Sequence, residues 1–338
     1  MKKALILFAA LAIALTGCAA KKEQKQYTAT FLELFDTVTT VIGFAESEEA
    51  FSKKAQDVRD KLYEYHVLFD IYDEYESLNN LKTVNKNAGI APIKVDRKII
   101  DLVLDLKKYH DLTAGRVNAA MGSVLSLWHE ARNDGINNPV NAYLPDENAL
   151  REAKNHTDFS SVIVDEKAST VFLSDPEMSL DVGAVAKGWA TERVARSSPE
   201  GLLISVGGNV VATGPKNQDG ASWVIGIQDP DSDQYLHTIY LSKGSVVTSG
   251  DYQRGYVVNN EYYHHIIDPD TLYPGEYWRA VTVVCTDSGL ADALSTALFL
   301  LPMDRGQALL TETGAEAVWV DFEGNLHYSP GFQKLIRT

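Results

Sequence analysis

Apolar residues recur at every third or fourth position from Phe51 through Ala55, Val58, Leu62 and Tyr65 to Phe69. That spacing predicts an amphipathic helix, with Ser47 as its N-cap. A second helix is predicted over 96–115, stopped near Gly115, and a third, short one over 146–156. The β-branched, partly alternating run 31–44 predicts a strand, and 160–174 a hairpin. Strand patterns dominate further on, at 201–208, 222–230, 237–250, 255–268 and 279–287. Residues 316–329 predict a hairpin turning at Gly324 and Asn325. Two helical patterns interrupt the strands. One is 180–196, read as a strand end passing into a helix; the other is the Leu- and Ala-rich stretch 289–301. Helices and strands do not alternate regularly, so the pattern predicts an α+β fold with mixed, largely antiparallel sheets flanked by helices, not a doubly wound sheet.

With 338 residues the chain could form one large domain or two modest ones; it shows no repeat, low-complexity tract or clean linker, which favours a single unit. The net charge of −15 argues against nucleic acid as a partner. It leaves room for a phosphate-bearing small molecule if a metal ion supplies positive charge. At the N-terminus a short basic segment, Met1 to Lys3, precedes an apolar run that is shorter than the roughly 20 residues needed to span a bilayer. The run ends in "LTGC", which resembles the bacterial lipobox. The resemblance implies cleavage before Cys18 and lipid attachment to its thiol, with anchoring on the extracytoplasmic face of the cell membrane. The expected layout is a signal peptide over 1–17, a lipidated cysteine and tether over 18–29, and a catalytic domain over 30–338. Cys285 then has no partner and reads as an inert buried thiol.

Several segments carry chemistry. "DVGAVAKG", Asp181 to Gly188, sets an acid, two glycines and a lysine at the start of a helix, which suits a phosphate or equally a tight turn. "ISVGGN" reads as a strand ending in a turn. Thr248, Ser249 and Gly250 offer small polar groups. His265 lies three residues before Asp268, a spacing that fits a base with an orienting acid or simply a turn opened by Asp268 and Pro269. His264 and His265 alternate, so only one can face a site. Asp292 and Thr296 stand at i and i+4 on one helix face. They could supply hard oxygen ligands to Mg²⁺ or Ca²⁺, or be a paired acid and a back-bonded hydroxyl.

Taken in order, six segments resemble the FAD:protein FMN transferase (ApbE-type) family, in its lipoprotein form: "FDIYDEYESLNNLKTVN", "AGRVNAAMGSVLSLWHEAR", "LDVGAVAKGWATERV", "SVVTSGDYQR", "HHIIDPDT" and "LADALSTALF". The resemblance covers nearly all of the chain after Cys18. It implies an ApbE-like, T-fold-related single catalytic domain. It also implies Mg²⁺-dependent transfer of FMN from FAD to a threonine hydroxyl of an acceptor flavoprotein, with release of AMP. On the same basis Ala184, Asp292 and Thr296 bind the metal. Phe35, Tyr72, Val117, Asn118, Asp181, Lys187 and Ile266 contact FAD beside Thr248, Ser249 and Gly250. His265 takes the proton, supported by Asp268. Val117 and Asn118 stand where the family has Phe-Asp, which removes a carboxylate, and Phe35 stands where methionine is common. The alternatives are a Mg²⁺-dependent FAD pyrophosphatase giving FMN and AMP, and a flavin-binding lipoprotein without catalysis.

Overall fold

The structure is a computed structural model describing residues 24–338; the expected signal peptide and Cys18 lie outside the described residues. β1 (Lys25–Leu34) and β2 (Thr37–Ala45) form a hairpin that turns through Phe35 and Asp36. The one strand expected over 31–44 is therefore two. Both turn residues are left-handed, φ 52° and 51°, the geometry of a two-residue hairpin turn, but without the Asn-Gly or Asp-Gly that signals it. β1 also takes up the end of the segment expected as tether, because Tyr27 stacks on Phe51 with ring centroids 5.7 Å apart.

α1 (Glu48–Phe69) begins as the pattern predicts, Ser47 accepting from the Ala50 N–H at 3.2 Å. Then come α2 (Leu81–Lys86), β3 (Ile93–Lys94), α3 (Arg97–Leu112), α4 (Gly122–Asn137) and α5 (Glu147–Lys154). The expected hairpin is β4 (Val162–Asp165) and β5 (Thr170–Leu173), which pairs with β3. No strand leads into α6 (Ala186–Arg196); Ser179 makes only an isolated bridge to Met121 and a turn follows. The remaining elements are β6 (Leu202–Val206), β7 (Asn209–Ala212), β8 (Trp223–Gln228), β9 (Tyr235–Leu241), β10 (Gly244–Gly250), β11 (Gly255–Val258), β12 (Glu261–His264), β13 (Ala280–Cys285), α7 (Ser288–Phe299), α8 (Met303–Thr313), β14 (Glu316–Val320) and β15 (Leu326–Tyr328).

The main sheet runs β1-β2-β6-β7-β10-β13-β14-β15 with every neighbour antiparallel. Side chains alternate across it. Val41, Leu202, Ile204 and Val206 join the large core beneath α1, α6 and α7, while Ile42, Phe44 and Leu203 pack against the β8–β9 hairpin on the other face. A smaller core forms where α4 and α5 meet β11 and β12. Gly135 allows the closest approach there, since a Cβ on it would lie 2.5 Å from the Tyr256 ring. No helix among the described residues is long and apolar enough to cross a membrane.

Candidate active site

The centre of the site is the contact between α6 and α7, which run antiparallel and cap one another. Asp292, in the second turn of α7, accepts from the Gly188 N–H in the first turn of α6 at 2.8 Å. Glu192 of α6 accepts from the Ser288 N–H at the start of α7, also at 2.8 Å. Each carboxylate thus fills a donor that a helix start leaves unsatisfied, where negative charge is favoured. The helices can approach this closely only because residue 188 is glycine: a Cβ there would lie 2.3 Å from the Ser288 carbonyl oxygen and 2.6 Å from Asp292 Cβ. Asp292 is therefore neither ion-paired nor free. Burial pushes its carboxyl above the usual range, with Lys187, the Gly188 N–H and the Asn209 amide working against that rise. Thr296, one turn on, is half-buried and its hydroxyl makes no hydrogen bond among the described residues, so it does not bond back to the preceding turn. Ser295, beside it, links Ser249 of β10 (2.8 Å) to the Asp292 carbonyl (2.9 Å).

In front of α6 lies a half-open cleft of about 120 Å³, whose walls include Phe35, Tyr72, Asp181, Lys187 and Arg254. The β1–β2 turn supplies Phe35, whose N–H donates to His66 Nδ1 at 3.2 Å. A bulky residue with φ 52° is a backbone outlier of the kind that gathers at functional sites. Asp70 fixes the next wall, accepting from the Tyr72 N–H at 2.7 Å and the Tyr75 hydroxyl at 2.8 Å. The Tyr72 ring is largely exposed, and burial of its hydroxyl end together with the Asp181 charge pushes its pKa up to about 12. That hydroxyl meets His129 Nδ1 at 3.3 Å, and His129 Nε2 stands 3.9 Å from Asp181. Asp181 also accepts from the Gly183 N–H at 2.9 Å, shaping the turn into α6. Lys187 donates to the Gly183 carbonyl at 3.2 Å.

His265 follows directly on β12 and lines a second, adjoining pocket with His129 and Arg132. Its Nδ1 lies 3.1 Å from the Arg254 carbonyl. A carbonyl can only accept, so Nδ1 carries the proton and Nε2 is left as a lone-pair acceptor. Burial, then the Arg254 and Lys187 charges, push the His265 pKa down to about 3. The imidazole is therefore neutral at pH 7. His264 points the other way, donating to the Gly275 carbonyl at 2.9 Å and packing edge-on against Phe299.

Other expected site residues stand elsewhere. Asp268 does not orient His265. Its carboxylate takes two hydrogen bonds from Arg116, at 2.9 and 3.0 Å, and one from the Asp270 N–H at 2.7 Å, so it opens a turn and holds that loop. Val117 is buried in the core, and Asn118 ties the Thr157 carbonyl (2.9 Å) to the Ala120 N–H (2.9 Å). Both sit behind Asp181, whose N–H donates to the Ala119 carbonyl at 2.8 Å, and neither lines the cleft. Ile266 is buried, and its carbonyl accepts from the Gly275 N–H. Thr248 pairs with Thr282 across the sheet at 2.8 Å. Gly250 ends β10. Conversely, His129, Arg132 and Arg254 line the site without having been expected in it, although all three lie in segments that carry the family resemblance.

A model described as the ApbE family matches residues 35–319. The chain is similar to the FAD:protein FMN transferase of Treponema pallidum, 32% identical over 323 residues that cover 88% of this chain and 87% of the relative. A Klebsiella pneumoniae protein of the same description is 31% identical, covering 72% and 78%. Among solved structures, the ApbE protein of Thermotoga maritima superposes with a TM-score of 0.81 at 28% identity, covering 93% of this chain and all of that one. The Vibrio cholerae flavin transferase ApbE, at 22% identity and a TM-score of 0.76, shares the fold over 93% of this chain.

Proposed function

This chain belongs to the ApbE family, and from that premise we propose how it moves FMN from FAD onto a protein: the acceptor atom is a threonine hydroxyl, and the cleft between Tyr72, Lys187 and His265 is where transfer occurs. The observation that carries this reading is the position of Lys187. It lines the cleft and its charge acts on both His265 and Asp292, so base and metal face both lie near one cation. His265 Nε2 takes the proton from the threonine hydroxyl. The threonine oxygen bonds to the FMN phosphorus as the bond to the AMP phosphate breaks, and AMP leaves with that electron pair. A neutral imidazole held by one carbonyl is ready for this step without rearrangement. Phe35 and the exposed Tyr72 ring offer aromatic surface to the flavin or adenine. Lys187 and the α6 start face the phosphates.

The residues present fit a divalent metal. The described residues hold no group of three acidic, histidine or cysteine side chains, but Mg²⁺ needs only one or two carboxylates when its substrate brings phosphate. Asp292 is a buried carboxylate whose pKa burial raises, and the Thr296 hydroxyl beside it has no internal partner among the described residues. Together with the Ala184 carbonyl these groups would hold Mg²⁺, which supplies positive charge against the pyrophosphate and the leaving AMP. We infer further that "LTGC" directs lipidation of Cys18, leaving the catalytic domain at the outer face of the membrane.

The test is incubation of the soluble chain with FAD, Mg²⁺ and an acceptor protein, followed by ultraviolet-excited flavin fluorescence on a denaturing gel. A fluorescent acceptor band is expected. Free FMN and AMP without a labelled band would replace the transferase with a pyrophosphatase. Bound, intact FAD would leave only a flavin binder.

A further inference from the structure

Asn209 stands in the core without a partner. It opens β7 and pairs with Val206 of β6 across a two-residue turn, Gly207 and Gly208, whose φ values of 56° and 90° fix the register. Directly opposite residues of an antiparallel pair face the same side. Val206 belongs to the core beneath α6 and α7, so the Asn209 side chain enters that core too, and the residue is only 2% exposed. β7 packs against both helices. The Asn209 Nδ2 is buried, yet no acceptor lies within hydrogen-bond reach of it among the described residues. A buried amide left unbonded costs stability, and a valine there would match Val206 without that cost. What the amide does face is Asp292, whose charged form it favours. One oxygen of that carboxylate, Oδ2, takes the Gly188 N–H at 2.8 Å. A single hydrogen bond leaves the carboxylate plane free to turn, and a second donor would fix it.

We propose that Asn209 is a positioning residue for the metal: its Nδ2 is kept free to donate to the Asp292 carboxylate once a divalent cation is held there. The proposal rests on the metal reading of Asp292 and adds the group that sets the angle of that carboxylate. Hydrogen bonds to a ligating carboxylate orient it, and losing one costs about 10–100-fold in metal affinity. Here the two donors come from different elements, the Gly188 N–H from α6 and the Asn209 amide from the main sheet, so the carboxylate is gripped from both sides of the core. An amide suits the second position because it is neutral: it holds an oxygen without cancelling the charge that the cation needs.

The experiment uses Mn²⁺ as the probe, with the free ion measured by its paramagnetic resonance signal as the chain is titrated, with and without FAD. Asn209→Val should raise the Mn²⁺ Kd about tenfold or more. Transfer at limiting Mg²⁺ should fall in step and return as Mg²⁺ is raised. The metal-free variant should melt no lower than wild type, because the unbonded amide is gone. FAD binding in EDTA, read by quenching of flavin fluorescence, should not change, since Asn209 lies outside the walls of the cleft. Asn209→Ala repeats the comparison without the bulk of valine, in case that side chain crowds the helices above it. An unchanged Mn²⁺ Kd in both variants would overturn the proposal. So would a lower metal-free Tm with a transfer loss that Mg²⁺ does not restore, which would make Asn209 a structural residue. Weakened FAD binding in EDTA would overturn it too, by making Asn209 a substrate contact. A wild-type chain that binds no Mn²⁺ in either condition refutes the metal reading itself.

Discussion

Asp292 caps a helix and is proposed to hold the metal, and substitution can separate the two. One oxygen fills the Gly188 N–H at 2.8 Å, and the side chain is buried. Replacing it with alanine leaves that N–H buried without a partner, which costs about 1–3 kcal/mol. Replacing it with asparagine keeps an acceptor of the same shape. The neutral bond is about half as strong as the charged one, but the burial penalty on the charge disappears with it. Asp292→Asn should therefore unfold within about 1 kcal/mol of wild type, in urea at pH 7, while Asp292→Ala falls below it by the larger amount. Flavin transfer should behave differently. Both variants lose the carboxylate proposed to hold the metal, and both should transfer at least about 10²-fold more slowly, with no rescue by excess Mg²⁺ within the soluble range. Equal destabilisation by the two changes would refute the capping role. Near wild-type transfer by Asp292→Asn would refute the metal role.

Gly188→Ala should prise α6 and α7 apart, because its Cβ would meet the Ser288 carbonyl at 2.3 Å; a loss of about 1–3 kcal/mol and of transfer together is expected, and an unchanged Tm would contradict the packing argument. His265→Gln should lower transfer about 10²–10⁴-fold with FAD affinity retained, measured by single-turnover labelling. His265 also leaves a sign in stability against pH. Its folded pKa, near 3, lies below the ordinary 6.5, so from pH 6.5 downward the unfolded chain binds the extra proton. Wild type should then lose stability more steeply between those pH values than His265→Gln; parallel curves would show the imidazole is not buried neutral. Cys18→Ala should release the chain from membrane fractions and abolish the mass added by a diacylglycerol group, whereas retention with unchanged mass would exclude the lipid anchor.

Strong periodicity made α1, α3 and α7 legible, and local turn chemistry did the same for the β4–β5 and β14–β15 hairpins. The β1–β2 turn was not legible, because Phe35 and Asp36 adopt a geometry that the surrounding site imposes and their residue types do not favour. α4 carries Gly122 and Gly135 and has no side-chain cap, so its start and stop signals are weak, and with it went His129 and Arg132. Asp181, Lys187, His265 and Asp292 stood in recognisable segments. What no segment could show is that the partner of Asp292 is a backbone N–H more than a hundred residues away, a donor that every residue type but proline carries. Asp268 misled for the opposite reason. Its spacing from His265 suits a catalytic pair, but Arg116 reaches it first from a distant loop.

The reciprocal caps mean that a homologue drifting away from catalysis would still need a side-chain acceptor, aspartate or asparagine, at the position of Asp292, since losing it would loosen two helices under the main sheet. Finding that aspartate in a related chain therefore says little about whether the chain works as an enzyme. The Thr296 hydroxyl and the His265 Nε2 hold nothing together among the described residues. Those two atoms, free to be lost without harm to folding, are the better markers for separating active members from inert ones.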